Sequence, residues 1–134
     1  MIQCKRAYVA ATPEDGCRVL VDRLWPRNCR KDSLQLDAWL PECAPSTELR
    51  KAFKSAKMDF AQFSAAYRQA LAASPQHWWP LLQLAEKGTL TLIFAARDPQ
   101  ANNAIVLAQW LEDEVERCTA SSSPVCYVGS FPDY

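Results

Sequence analysis

The sequence predicts an α/β fold: a small, mainly parallel sheet covered by helices in a single compact domain. Three observations carry this expectation. Two apolar runs, around Val19-Leu20-Val21 and Leu90-Thr91-Leu92-Ile93-Phe94, each pass into a polar pair, Asp22-Arg23 and Arg97-Asp98. Runs of this kind read as buried strands, and in open α/β sheets the loops beyond the carboxyl ends of strands are where ligands sit. Helix-period apolar stripes separate and follow the runs. Finally, 134 residues are enough for one sizeable core and short for two.

Taken in order, residues 2–9 alternate loosely and form a first strand, and Thr12-Pro13-Glu14-Asp15-Gly16 forms a turn. That turn joins the first strand to a second, 17–22, as a hairpin or as a short loop between neighbours. The polar loop after Arg27 gives Asn28 the left-handed backbone, which asparagine tolerates better than most residues. Residues 34–40 are expected to make one or two helical turns around Leu36, Trp39 and Leu40, stopped by Pro41. Ser46 then caps a helix that carries Glu48 in its first turn and Arg50 and Lys51 later. Asp59 and Gln62 have capping-box spacing, and Phe60, Phe63, Tyr67 and Leu71 form the stripe of a helix over 60–73.

Pro75 and Pro80 interrupt the pattern, so the next helix is expected to begin near Trp79 and stop at Gly88 in a left-handed cap. A third strand, 89–96, follows. The last helix is expected to open with Asp98 as N-cap and Pro99 at its first position, with Ala101, Ala104, Ile105, Ala108, Leu111 and Val115 as its apolar stripe. Right-handed crossovers connect the central elements. The domain therefore occupies 1–117, and 118–134 forms an extension: Ser121-Ser122-Ser123-Pro124 as linker, then a short edge strand or docking segment at 125–128.

Composition narrows the function classes. Fifteen basic residues balance fifteen acidic ones, which removes the global attraction on which sequence-independent nucleic-acid binding depends. Nucleic acid is therefore the weaker partner class, and an anionic small molecule held by a local site the stronger one. No run is long enough to span a membrane and no signal-peptide core is present, so a cytoplasmic protein is expected. The six cysteines are scattered without a C-x-x-C pair, beside the single His77. They read as small buried thiols, with no metal site, and His77 as a helix-start residue. No cofactor and no oligomeric state is assigned by these residues.

The candidate ligand-binding residues are Arg23, Trp25, Arg27, Asn102 and Asn103, whereas Arg50 by itself reads as a solvated or salt-bridged surface residue. A guanidinium offers forked donors that match carboxylate or phosphate oxygens. Trp25 could stack on a planar ligand, whereas Trp39 is expected in the core. The amide side chains of Asn102 and Asn103 at the start of the last helix could meet an anion. Asp22 and Asp98 are the catalytic candidates, since parallel strands would bring them to one side of the sheet, where they could act as acid and base or hold a divalent cation. Against this stands a plainer reading, in which the two carboxylates pair with the arginines and staple loops, and Asp98 caps its helix. The Trp78-Trp79 pair before Pro80 reads as a helix-entry staple or an exposed contact patch. Two function classes remain: a site acting on a phosphorylated or carboxylated small molecule, and a non-enzymatic regulatory or interaction module.

The run Arg18-Val19-Leu20-Val21-Asp22-Arg23-Leu24-Trp25-Pro26-Arg27, with Asp37-x-Trp39, Pro45-Ser46-x-Glu48-Leu49-Arg50 and Asn102-Asn103, resembles the YeaO-like bacterial proteins, a domain family of unknown function. The resemblance spans roughly residues 2–112. It implies a small cytosolic α/β protein and singles out Asp22, Arg23, Trp25, Arg27, Arg50, Asp98, Asn102 and Asn103, but it names no reaction. Asn28 stands where relatives commonly carry glycine, and the extension runs past their usual end.

Overall fold

The computed structural model describes residues 1–98 and 100–120, with side chains described through Arg117. It is built on four parallel strands: β1 (Ile2–Arg6), β2 (Cys17–Leu20), β3 (Ala38–Trp39) and β4 (Leu90–Phe94), in the order β1-β4-β2-β3. The expected parallel α/β sheet is present. β1 and β2 are not neighbours, however, because β4 lies between them and pairs with both. The turn at Thr12–Gly16 therefore leads neither into a hairpin nor into an adjacent strand; it carries the chain across β4.

All five residues of β4 are buried, as the central strand of a parallel sheet demands. Its side chains divide by parity. Leu90, Leu92 and Phe94 join Val19 and Val21 in the main core, and Ile93 joins Leu20 in a smaller cluster with Ala7 and Leu34. The long helices supply the rest of the main core: α3 (Phe60–Ala73) gives Phe63, Tyr67 and Leu71; α4 (Pro75–Lys87) gives Trp78, Leu81 and Leu82; α5 (Asn103–Ala120) gives Ala104, Leu107 and Leu111. The short helix α2 (Thr47–Lys54) packs on α3, stacking Phe53 on Phe63 at 4.6 Å between ring centroids. The opposite face is closed by the single turn α1 (Lys31–Leu34) and its flanking loops.

Local signals explain most boundaries. Ser46 Oγ accepts from Leu49 N, and Asp59 and Gln62 exchange both bonds of a capping box, so α2 and α3 start where the sequence places them. Asn28 takes φ 61°. Gly16 takes φ +63°, and a Cβ there would sit 2.4 Å from the Thr89 carbonyl oxygen, so this turn requires glycine.

Four expectations need correction. Residues 38–39 form β3 where helical turns were expected; the turn is confined to Lys31–Leu34, and Leu40 N donates to Leu20 O beside the new strand. α4 begins at Pro75, not Trp79, since proline suits a first helical position, and Pro80 lies inside the helix at the loss of one backbone bond. Gly88 is extended rather than left-handed. Asp98 does not cap α5: its Oδ1 accepts from Gln100 N and Ala101 N in a separate turn, and Asn102 Oδ1 caps the helix by accepting from Ile105 N. The strand expected at 125–128 lies outside the described residues. No helix among the described residues is long and apolar enough to cross a membrane.

Candidate functional site

The carboxyl ends of β2 and β4 and the first turn of α5 meet at Asp22. The half-buried carboxylate accepts from Ala95 N through Oδ2 at 2.9 Å and from Asn103 Nδ2 through Oδ1 at 3.1 Å. The same Asn103 amide donates to Val21 O at 3.0 Å. Asp22 O, in turn, accepts from Trp39 Nε1 at 2.7 Å. One residue thus ties two strand ends, β3 and a helix start. Burial pushes the Asp22 carboxyl above its ordinary value, opposed by these two N–H donors and by the charges of Arg50 and Lys54.

Two cations of α2 act on this carboxylate, and Arg23 follows it in the chain. Arg23 donates through Nε to Pro45 O at 2.8 Å, which fixes it against the residue preceding the Ser46 cap of α2. Arg50 and Lys54, one helical turn apart on α2, both act on Asp22 electrostatically. Yet none of the three forms an ion pair with a carboxylate: the ion pairs among the described residues are Lys5 and Arg18 with Asp15, Arg68 with Asp113, and Arg117 with Glu114. The plainer reading, in which Asp22 and Asp98 neutralise the arginines, is not the arrangement found.

The fold thus brings Asp22, Arg23, Arg50 and Asn103 together and leaves the other candidates apart. Arg27 is exposed, and its carbonyl accepts from Tyr8 Oη. Asp98 is exposed in its own turn, and Asn102, only 2% exposed, donates to Asp98 O while capping α5. Trp25 is half-buried, donates to Cys29 O and meets Trp39 edge-on at 5.6 Å. Trp39, expected in the core, is 41% exposed, because β3 is an edge strand too short to be covered on both faces. Trp78 is buried with its Nε1 on Leu71 O, so the tryptophan pair is a staple and not an exposed patch.

Two neighbours went unnoticed in the sequence. Lys54 was signalled by its four-residue spacing from Arg50. Tyr67 was read only as part of the α3 stripe; its hydroxyl is fully buried, donates to Cys43 O and lies within reach of the charges of Asp22 and Arg23. Burial holds the Tyr67 hydroxyl well above its ordinary value, and burial, with the Glu42 charge, pushes the Cys43 thiol up to about 12. Neither supplies an anionic nucleophile near neutral pH. Chemically, the arrangement offers fixed positive charge beside a carboxylate whose two oxygens are already engaged.

Comparison with known proteins places these residues among relatives. A family model described as the inactive DUF488-N3 subclade matches residues 1–128. The chain is 49% identical over 110 residues to the uncharacterized protein YeaO of Escherichia coli K12, covering 82% of this chain and 96% of that protein. It is 36% identical over 110 residues to the uncharacterized proteins Mb3100c of Mycobacterium bovis and Rv3073c of Mycobacterium tuberculosis, covering 82% of this chain and 92% of each. No solved structure matches the chain.

Proposed function

Because the chain belongs to the YeaO-like proteins, within the inactive DUF488-N3 subclade, we propose that it binds a small phosphorylated or carboxylated anion at the carboxyl ends of β2 and β4 without transforming it. The observation that carries this reading is the convergence of Arg23, Arg50 and Lys54 on one end of the sheet with no carboxylate among the described residues in ion-pair contact. Forked guanidinium donors and a flexible ammonium on two different elements suit the several oxygens of a phosphate or carboxylate. Binding without turnover is the reading in which Asp22 is structural: its two oxygens accept from Ala95 N and Asn103 Nδ2 and so hold a strand end and a helix start in place. The subclade's description as inactive agrees with this.

A thermal-shift titration with inorganic phosphate, nucleotides and short carboxylates tests the proposal. At 100 times Kd a ligand adds about 2.7 kcal/mol, a rise of several degrees in Tm. The expected result is a shift with at least one anion class that is lost in Arg50→Ala and Lys54→Ala while both variants melt cooperatively. No shift with any class, or a shift that survives both substitutions, would overturn it.

A further inference from the structure

β1 is an open edge: among the described residues it pairs only with β4. Met1 O accepts from Leu90 N and Ala7 N donates to Phe94 O, so the odd-numbered residues turn their main-chain groups toward β4. In a parallel ladder both groups of a residue point the same way, which turns Ile2, Cys4 and Arg6 outward. The Arg6 carbonyl accepts from Val9 N; the other outward groups have no partner among the described residues. Beside this edge runs a groove of about 490 Å³, walled by Ile105, Ala108, Gln109 and Glu112 of α5 together with Phe94 and Val9. An unpaired strand next to an apolar groove is a template for one more strand.

We propose that the chain closes this edge itself, with residues 125–128, Val-Cys-Tyr-Val, as a fifth strand parallel to β1. The route of α5 carries the argument. This helix leaves the carboxyl end of β4, packs on both β4 and β1, and so returns the chain to the amino-terminal end of the sheet beside the open edge. Its 18 residues are about 27 Å long against about 17 Å for the five residues of β1, an overshoot of about 10 Å. Ser121-Ser122-Ser123-Pro124 can span about 13 Å, which brings the chain back to the start of β1. The four-residue segment that follows is apolar at every position, so either parity of pairing turns two apolar side chains into the groove, and Gly129 ends it.

Topology agrees. The steps from β1 to β2 and from β2 to β3 cross the sheet in one direction over the loop-covered face, and the step from β3 to β4 returns over the helical face. A step from β4 over α5 to the far side of β1 continues that return on the same face. All four crossovers then have one hand, as the rule for parallel units requires. The family match also extends to residue 128, the last of the proposed strand.

The test is native-state hydrogen exchange by NMR on the full chain and on its Cys126→Pro/Tyr127→Pro double variant, in which one proline removes a ladder donor whichever parity the pairing takes. The Cys4 and Arg6 amides should exchange slowly in the native chain and on the order of tenfold faster in the variant. The Gln3 and Lys5 amides, directed at β4, should stay protected in both and so report that the variant is folded. Equal exchange of Cys4 and Arg6 in the two chains would overturn the proposal: fast in both means an open edge, and slow in both, increasingly so with protein concentration, means a second copy occupies it.

Discussion

Asp15 shows how much of this fold hangs on single carboxylates. It is 3% exposed and holds Lys5 Nζ at 3.0 Å and Arg18 Nη1 at 2.5 Å, while Arg18 Nε donates to Leu34 O at 2.9 Å. Burial works to raise its carboxyl, but the Thr12 amide, Lys5, Arg18 and the Thr12 hydroxyl outweigh it and lower the value from 3.8 to about 2. A carboxyl depressed in the folded state contributes stability that is fully present above 3.8 and is lost as pH falls through about 2. Urea denaturation across that window should therefore show stability falling in the native chain. In Asp15→Asn that loss should be absent, and stability at neutral pH should already be lower by about 3 kcal/mol, because two buried or half-buried cations lose their partner. Parallel pH profiles for the two chains would contradict this account. In the sequence Asp15 reads only as a turn residue, since Lys5 precedes it by ten positions and nothing local reveals the pairing. Asp22 and Arg23 were legible because they end an apolar run. Arg50 stood out only through the family resemblance, and Tyr67 was hidden in an apolar stripe.

Among the elements, α3 was readable to its ends because its capping box and its Phe60, Phe63, Tyr67 and Leu71 stripe agree. The start of α5 was not, because Asp98 and Asn102 can each accept from amides two or three residues on, and spacing alone does not rank them. Packing does: Asn102 is 2% exposed and Asp98 is exposed. Asn102→Ala removes the cap on Ile105 N and the bond to Asp98 O, and should lower unfolding free energy by about 1–3 kcal/mol. Asp98→Ala should cost less. Urea melts of both variants check the order, and the reverse order would return the cap to Asp98. β3 escaped notice for a different reason: two residues, Ala38 and Trp39, are too few to establish a period.

At the scale of the whole molecule, parallel strands and one-sided helices put every strand's carboxyl end at a single rim, and the cations of α2 are brought to that rim by the Ser46 cap and the bond from Arg23 to Pro45. The parallel sheet was legible from its buried apolar runs. The neighbour order was not, because β4, Leu90–Phe94, enters between β1 and β2 although β2 ends as early as Leu20, a separation no local pattern encodes. With balanced net charge, the proposed binding of an anion rests on this rim and not on the molecule at large. The most direct measurement is a pair of NMR titrations, one with inorganic phosphate and one with a short carboxylate, that follow the Nε–H signals of every arginine. The account predicts, with at least one of the two anions, saturable shifts at Arg23 and Arg50 with Arg27 and Arg30 unmoved; shifts confined to Arg27 and Arg30, or none that saturate with either anion, would contradict it.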